Sequence, residues 1–260
     1  MAKTNGKRAP IPLKVAIVLP TAGQMCVETA VSLANMVNLT DVETEIIHVK
    51  GFLVPEIRSK GVALAWEAKA THILWVDSDM GFPPWALNQL LEAELDIIGV
   101  NYPMKTVPPV PTAYVDDEDY TGPLYTETDQ EGIQKVRHLG MGVMLTKISV
   151  FDRISSEIKD NKPPFFSFEP TPDGLRFMTE DIYFAQRCAE VGIELHVDHG
   201  LSQYIIHIGS MSYDNRQALW GRNLKKTMAK SDFNNFGFTE EDIGRLDTVI
   251  TPTMTPKVTN

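Results

Sequence analysis

Cysteine is scarce in this 260-residue chain: Cys26 and Cys188 are the two present, far apart and without metal-type spacing. A disulfide framework and a cysteine zinc site are therefore not expected. The pair reads as buried thiols in a reducing compartment, so a cytoplasmic protein is expected. Long apolar runs are missing too. No stretch reaches the roughly 18 uninterrupted apolar residues that mark a membrane span, so no membrane partner is expected. The basic N-terminus, MAKTNGKRAPIP, is not followed by an apolar signal-peptide region, because VAIVLP is too short and reads as a strand. Positive charge is also in deficit: 24 Lys and Arg stand against 34 Asp and Glu, a formal net charge of −10. Such a balance argues against a chain that coats nucleic acid. What is present, 43% apolar residues, is enough for a real core, and α/β folds of this length often form one unit.

The charge is uneven along the chain. Asp116 to Glu131 carries seven acids and no Lys or Arg, whereas Arg216 to Lys230 carries five bases and no acid. Such asymmetry marks either a surface for an anionic partner or a solvated helix face.

The first hundred residues alternate in character. LKVAIVLP (13–20) is a continuous β-branched run closed by Pro, as suits a strand buried on both faces. The helix that follows places Val27, Ala30, Val31, Ala34 and Val37 on one stripe. VETEIIHV is a second strand, PEIRSKGVALAWEAKA a helix with Pro in its first turn, HILWVDSD a third strand, PPWALNQLLEAE another Pro-started helix, and LDIIGVNY a fourth strand. This order predicts a mostly parallel sheet with helices on both faces. Beyond residue 100, PTAYV and IQKVRHLGMGVMLTK predict an antiparallel hairpin and a loop. Ser149 and Asp152 predict a capping box, and Gly192 sits at C′ of a helix over TEDIYFAQRCAEVG. IELHVDHGLSQYIIHIG returns to strands. The expected organisation is a flexible N-terminus (1–12), one catalytic unit (13–230) with halves at about 13–104 and 105–230, and a polar tail (231–260).

The stretch HILWVDSDMGFPP carries the chemistry. In open α/β sheets ligands bind beyond the carboxyl ends of strands, and on a strand Asp77 and Asp79 would point the same way. Two carboxylates crowded at a strand end repel one another unless a cation sits between them. Hard oxygen ligands suit Mg²⁺ or Mn²⁺, which keep open positions for substrate phosphates. A second acidic triplet, Asp117-Glu118-Asp119, lacks this strand-and-helix context and reads as solvated charge.

With these features the chain resembles the GT-A glycosyltransferases, nucleotide-sugar enzymes with a Rossmann-like doubly wound sheet and a DxD motif. The resemblance runs over about residues 13–210. VAIVLPTAG looks like the first strand and nucleotide-binding loop, and PEIRSKGVALAWEAKATHILWVDSDM like the Arg-bearing helix leading into the DxD strand. LDIIGVNYPMK and GMGVMLTKISVFDRI look like the later strand and the Gly-rich acceptor-side segment, TEDIYFAQRCAEVGIEL like the helix with the acidic catalytic motif, and YIIHIG like the strand whose His completes the metal site. Ser59 stands where the family usually has Asn, and the second strand shows no clear acidic residue for a uracil base.

The resemblance implies a role for each residue. Asp77, Asp79 and His207 would hold Mn²⁺ or Mg²⁺, with His199 the competitor for His207. Pro20, Thr21, Arg58, Asp77, Ser78, Asp79 and Lys105 would bind the donor, a nucleoside-diphosphate sugar and most simply a UDP-sugar. Asp181 would be the catalytic base, kept ionised by the helix N-terminus, and Glu180 its neighbour in positioning the acceptor. Met141 and Gly142 would wall the acceptor side. Direct displacement would invert the anomeric centre, with a retaining route the alternative, since no sequence feature fixes the stereochemistry. A short stand-alone chain of this kind looks like bacteriophage glycosyltransferases, some of which modify hydroxylated pyrimidines in DNA. The basic stretch 216–230, with Arg222, Lys225, Lys226 and a stacking Trp220, would then meet DNA. A saccharide or protein acceptor is the alternative, as are a sugar nucleotidyltransferase and a binding module without catalysis. Against the nucleotidyltransferase, PTAGQMCVE lacks the basic residue such enzymes carry after strand one.

Overall fold

The computed structural model describes residues 12–116, 120–171, 174–209 and 212–227, without the side chains of 212 and 224–227. The second acidic triplet, the tail 231–260 and nearly all of the N-terminal segment lie outside these residues.

Strand β1 (Lys14–Thr21) is buried at every position after its first. It is flanked in parallel by β2 (Glu43–Lys50) and β3 (His72–Val76), each reached by a crossover helix, α1 (Val27–Leu39) and α2 (Val54–Glu67). After β3 come β4 (Met80–Gly81), α3 (Ala86–Glu92) and β5 (Ile97–Gly99). The strands β6 (Tyr114–Asp116) and β7 (Thr121–Pro123) form a small antiparallel hairpin. Next come β8 (Ile133–Val136), β9 (Val143–Lys147) and α4 (Ile148–Glu157), then a second hairpin of β10 (Glu169–Pro170) and β11 (Phe177–Met178). Helix α5 (Glu180–Glu190) leads to β12 (Leu195–Asp198), the short α6 (His199–Ser202), β13 (Ile206–Ile208), β14 (Ser212–Tyr213) and α7 (Asn215–Thr227).

The central sheet has seven strands in the order β2-β1-β3-β9-β5-β12-β8. Five run the same way; β9, between β3 and β5, and β8, at the edge beside β12, oppose them. Alternate residues of the central strands feed two cores, as strand geometry requires. Ala16, Val18, Ile73 and Trp75 face the side packed by α2, α4 and α5, whereas Val15, Ile17, Leu74 and Val76 face Leu33 and Met36 of α1 and Leu87 and Leu90 of α3. The mostly parallel sheet with helices on both faces is thus observed.

Four local expectations need correction. On α1 the buried residues are Thr29, Leu33 and Met36, while Val27 and Val31 are exposed; burying Leu and Met removes more apolar area than burying Val and Ala. The capping box is absent: β9 runs straight into α4, the N-cap is Lys147, and Asp152 accepts a hydrogen bond from Trp66 Nε1 at 3.1 Å. Past residue 100 the two β-like pieces meet in an isolated antiparallel bridge, Tyr114 to His138, while β6 pairs with β7 and β8 and β9 join the central sheet at separate places. Finally, β3 ends at Val76, so Asp77 to Asp79 form a turn past the strand and are not alternating strand residues. The helix end at Gly192, with φ 67°, is as expected.

Candidate active site

A cleft of about 270 Å³ opens beyond the carboxyl ends of β1, β2 and β3. Pro20, Thr21 and Ala22 line it from the end of β1, Gly51 and Phe52 from the end of β2, and Asp77, Ser78 and Asp79 from the turn after β3. Helix α2 adds Val54, Ile57 and Arg58, α5 adds Glu180, and β13 adds His207. Topology explains the convergence, since parallel strands end on one edge and their loops must meet there.

The Thr21 hydroxyl shapes the first loop. It accepts hydrogen bonds from the Gly23 and Gln24 amides at 2.8 and 3.1 Å and donates to the Gln24 carbonyl at 2.7 Å. Gly23, at φ 111°, lies where a side chain would be strained. The loop and the acidic turn are tied through one atom: the Ser78 carbonyl accepts from the Cys26 amide at 2.8 Å and from the Thr29 hydroxyl at 3.2 Å.

Arg58 anchors the floor. It is 3% exposed, donates from Nη2 to Asp77 Oδ1 at 2.9 Å and from Nε to Glu180 Oε1 at 3.2 Å, and lies 5.6 Å from the Trp75 ring centroid. Burial alone would lower its pKa, but Asp77 and Glu180 outweigh that and raise it. Burial pushes the Asp77 carboxyl up, with Arg58 pulling the other way.

Asp79 is split between two partners. Oδ2 accepts from Lys105 Nζ at 2.5 Å, and Oδ1 faces His207 Nε2 at 3.6 Å. Burial would raise this carboxyl, but His207 and Lys105 together bring it below its ordinary range. His207 Nδ1 lies 2.9 Å from the Pro103 carbonyl. A carbonyl only accepts, so Nδ1 carries a proton, and Nε2 is the ring nitrogen that faces Asp79. Nε2 and Asp79 Oδ1, 3.6 Å apart, form an ion pair when the ring is protonated and a donor pair for a bound cation when it is not. Among the described residues no three His, Cys, Asp or Glu side chains gather into a ligand cluster, because Asp77 is turned to Arg58. The pair still fits a hard divalent ion, which commonly takes one or two protein ligands and completes its shell with phosphate and water. His199 is not a rival: it is 1% exposed and hydrogen-bonded to Thr126 and Gln134, both at 3.0 Å.

Asp181 follows Glu180 at the start of α5 but does not line the cleft. Its Oδ1 accepts from the Thr179 hydroxyl and from the Ile182 amide. Desolvation outweighs those donors and raises its carboxyl above the ordinary value. The sequence had suggested the opposite, a value lowered by the helix terminus; burial wins over the end-of-helix field.

Met141 and Gly142 lie in the core. Met141 is 1% exposed, and the space beside Gly142 is filled by Tyr102 and Met80, whose atoms would stand 2.7 to 3.0 Å from an added Cβ. Tyr102 is the residue that sequence reasoning missed. Its hydroxyl accepts from the Gly142 amide at 2.9 Å, its ring meets His207 edge-on at 5.2 Å, and Gly140 is also small to admit it. Within VNYPMK nothing distinguished it from an ordinary core aromatic. Phe52, 88% exposed at the cleft mouth, was missed as well. Trp220 is 58% exposed on α7 and is not among the residues lining the cleft.

A solved structure shares this architecture. A197 from STIV aligns with a TM-score of 0.51 at 16% identity, over 76% of this chain and 87% of that one. The fold is GT-A-like. S. aureus TarS 1-349 aligns at a TM-score of 0.40 and 11% identity, over 72% of this chain and 57% of that one. The chain therefore spans little more than half of the latter. No protein-family model matches the chain, and no curated protein does. At these identities the likeness concerns the fold alone.

Proposed function

We propose that the chain is a divalent-metal-dependent glycosyltransferase that moves a sugar from a nucleoside-diphosphate sugar to a hydroxyl acceptor. One observation carries this reading: the donor pair of Asp79 Oδ1 and His207 Nε2, 3.6 Å apart, at the mouth of the loops after β1 and β3. Around it stand the carboxylates of Asp77, Asp79 and Glu180 against two strong bases, Arg58 and Lys105, a surplus of negative charge suited to a divalent ion.

Asp79 and His207 would hold Mn²⁺ or Mg²⁺, which when bound would offset charge on the donor diphosphate. The other roles belong to the chain itself. The Thr21 loop faces the nucleotide end of the cleft, and Arg58 keeps Asp77 and Glu180 in fixed orientation. Asp181 has Oδ1 held by Thr179 and Ile182, so Oδ2 is the oxygen that would take the acceptor's proton. Its raised pKa suits a base working nearer neutral pH. Direct displacement with inversion is the simplest outcome of this arrangement.

Arg222, expected to contact DNA phosphates, is paired with Glu127 at 2.5 and 3.0 Å and lies over the Tyr125 ring at 4.8 Å; Arg216 pairs with Asp214. The side chains of Lys225 and Lys226 lie outside the described residues. The reading therefore stops at a hydroxyl-bearing acceptor, with hydroxymethylated DNA as the first substrate to try.

The test is a panel of nucleoside-diphosphate sugars scored for product. Free nucleoside diphosphate, lost in chelator and restored by Mn²⁺, is the expected result. Pyrophosphate would make the chain a nucleotidyltransferase, and undiminished turnover by Asp79→Asn or in excess chelator would remove the metal from the reading.

A further inference from the structure

The segment from Pro103 to Pro111 touches both halves of the cation pair. Its Pro103 carbonyl fixes the His207 ring, and its Lys105 ammonium lies on Asp79 Oδ2 at 2.5 Å. The segment is closed on itself by the Met104 amide donating to the Val110 carbonyl at 2.7 Å and by a bridge between Pro103 and Pro111. It is backed by the C-terminal part of the chain, where a Cβ at Gly209 would stand 3.0 Å from Lys105 Cδ and one at Gly221 would stand 2.7 Å from Pro108 Cβ. Lys105 is exposed, yet its stem passes close beside Gly209 and its ammonium ends on Asp79.

We propose that Lys105 is a resident counter-ion that competes with a divalent cation for Asp79, and so sets the cleft's affinity for that cation. The inference rests on the metal-dependent reading above and extends it to a residue whose role that reading leaves open. The physical reason is charge at short range. A carboxylate that already carries an ammonium on one oxygen offers a weakened field on the other, and the ammonium repels any cation brought to Oδ1. In the absence of a divalent ion Lys105 offsets the carboxylate's charge. When the ion binds, the contact to Lys105 weakens and its ammonium is freed toward the cleft, where an anionic donor would meet it.

The experiment measures Mn²⁺ alone, with no donor or acceptor, titrated into the full chain by calorimetry and by the loss of the free-ion paramagnetic signal. Lys105→Met keeps the stem and removes the charge. It should bind Mn²⁺ about tenfold more tightly than wild type, the size expected for removing one like charge near a partly exposed ion. Lys105→Arg keeps the charge and should retain wild-type affinity, which a merely structural role for the lysine would not predict. Asp79→Asn in the Lys105→Met background should abolish the gain, locating the ion at Asp79. Unchanged or weaker Mn²⁺ binding by Lys105→Met overturns the counter-ion role while leaving metal dependence standing. No Mn²⁺ binding by any variant, together with donor turnover in chelator, overturns both.

Discussion

At the scale of single residues the cleft is organised by Arg58, a cation with almost no solvent contact and two carboxylate partners. Removing one partner of a buried ion pair leaves the others unpaired in a poor solvent, which typically costs 3–5 kcal/mol. Arg58→Met should therefore destabilise the protein by about 3 kcal/mol in chemical denaturation, the low end because the Asp77 side chain keeps 29% exposure. A loss below about 1 kcal/mol, as for a surface pair, would mean that water reaches the site. Asp181 makes the opposite prediction. Its folded-state pKa is raised, so between the unfolded value and the folded one the native state holds the extra proton. Stability is then lost as pH rises through that window, and above it the ionised carboxylate is a constant burden. Asp181→Asn should thus be at least as stable as wild type at neutral pH and show a flatter profile across the window. Its transfer rate should fall by about 10²–10⁴, with donor affinity retained, if the carboxylate acts as base. Lost donor affinity in calorimetry would place Asp181 in the donor site instead.

Among elements, α2 lies close against the sheet at Gly61, where an added Cβ would lie 2.6 Å from Val18 Cγ1 and 3.3 Å from the Trp75 ring. Gly61→Ala should raise helix propensity yet destabilise by about 1–3 kcal/mol through overpacking, seen as a lower denaturation midpoint with unchanged slope. A neutral or stabilising outcome would show that α2 can lift from β1 without penalty. Elements also show what the sequence made legible. The strands β1 and β3 and the helix α2 were readable because period, Pro placement and buried β-branched runs agreed. The α1 face was misread because Val27, Ala30 and Val31 form a stripe as regular as Thr29, Leu33 and Met36, and periodicity alone does not say which of two stripes has a partner. The separation of β8 from β9 depends on strands distant in sequence, which no local pattern encodes. The acidic turn was legible as a site because Asp77 and Asp79 follow a fully apolar strand. The pairing that gives the two acids different roles, Arg58 on Asp77 against Lys105 and His207 on Asp79, was not legible, because it joins residues far apart in sequence.

For the whole molecule, the asymmetry between the acidic segment and the basic helix is partly resolved within the chain itself, since Arg222 pairs with Glu127. If the protein binds duplex DNA, Arg222→Gln should leave the salt dependence unchanged, whereas a base in contact with phosphate would flatten the slope by about 0.9. A flattened slope would mean that DNA displaces Glu127. One small contact has consequences at this scale. The Ser78 carbonyl joins the start of α1 to the turn that bears Asp77 and Asp79, so on the proposed reading the loop that would face the nucleotide and the acidic turn move together. Sites joined in this way exchange free energy reciprocally: whatever factor an ion contributes to nucleotide affinity, the nucleotide must return to ion affinity. Thr29→Val, which deletes the hydroxyl's bond to that carbonyl while keeping the side-chain shape, should lessen both factors by the same amount. Occupation of the cleft would then be a cooperative event, with half-filled states sparsely populated and whichever one forms first set by the concentrations and separate affinities of ion and nucleotide.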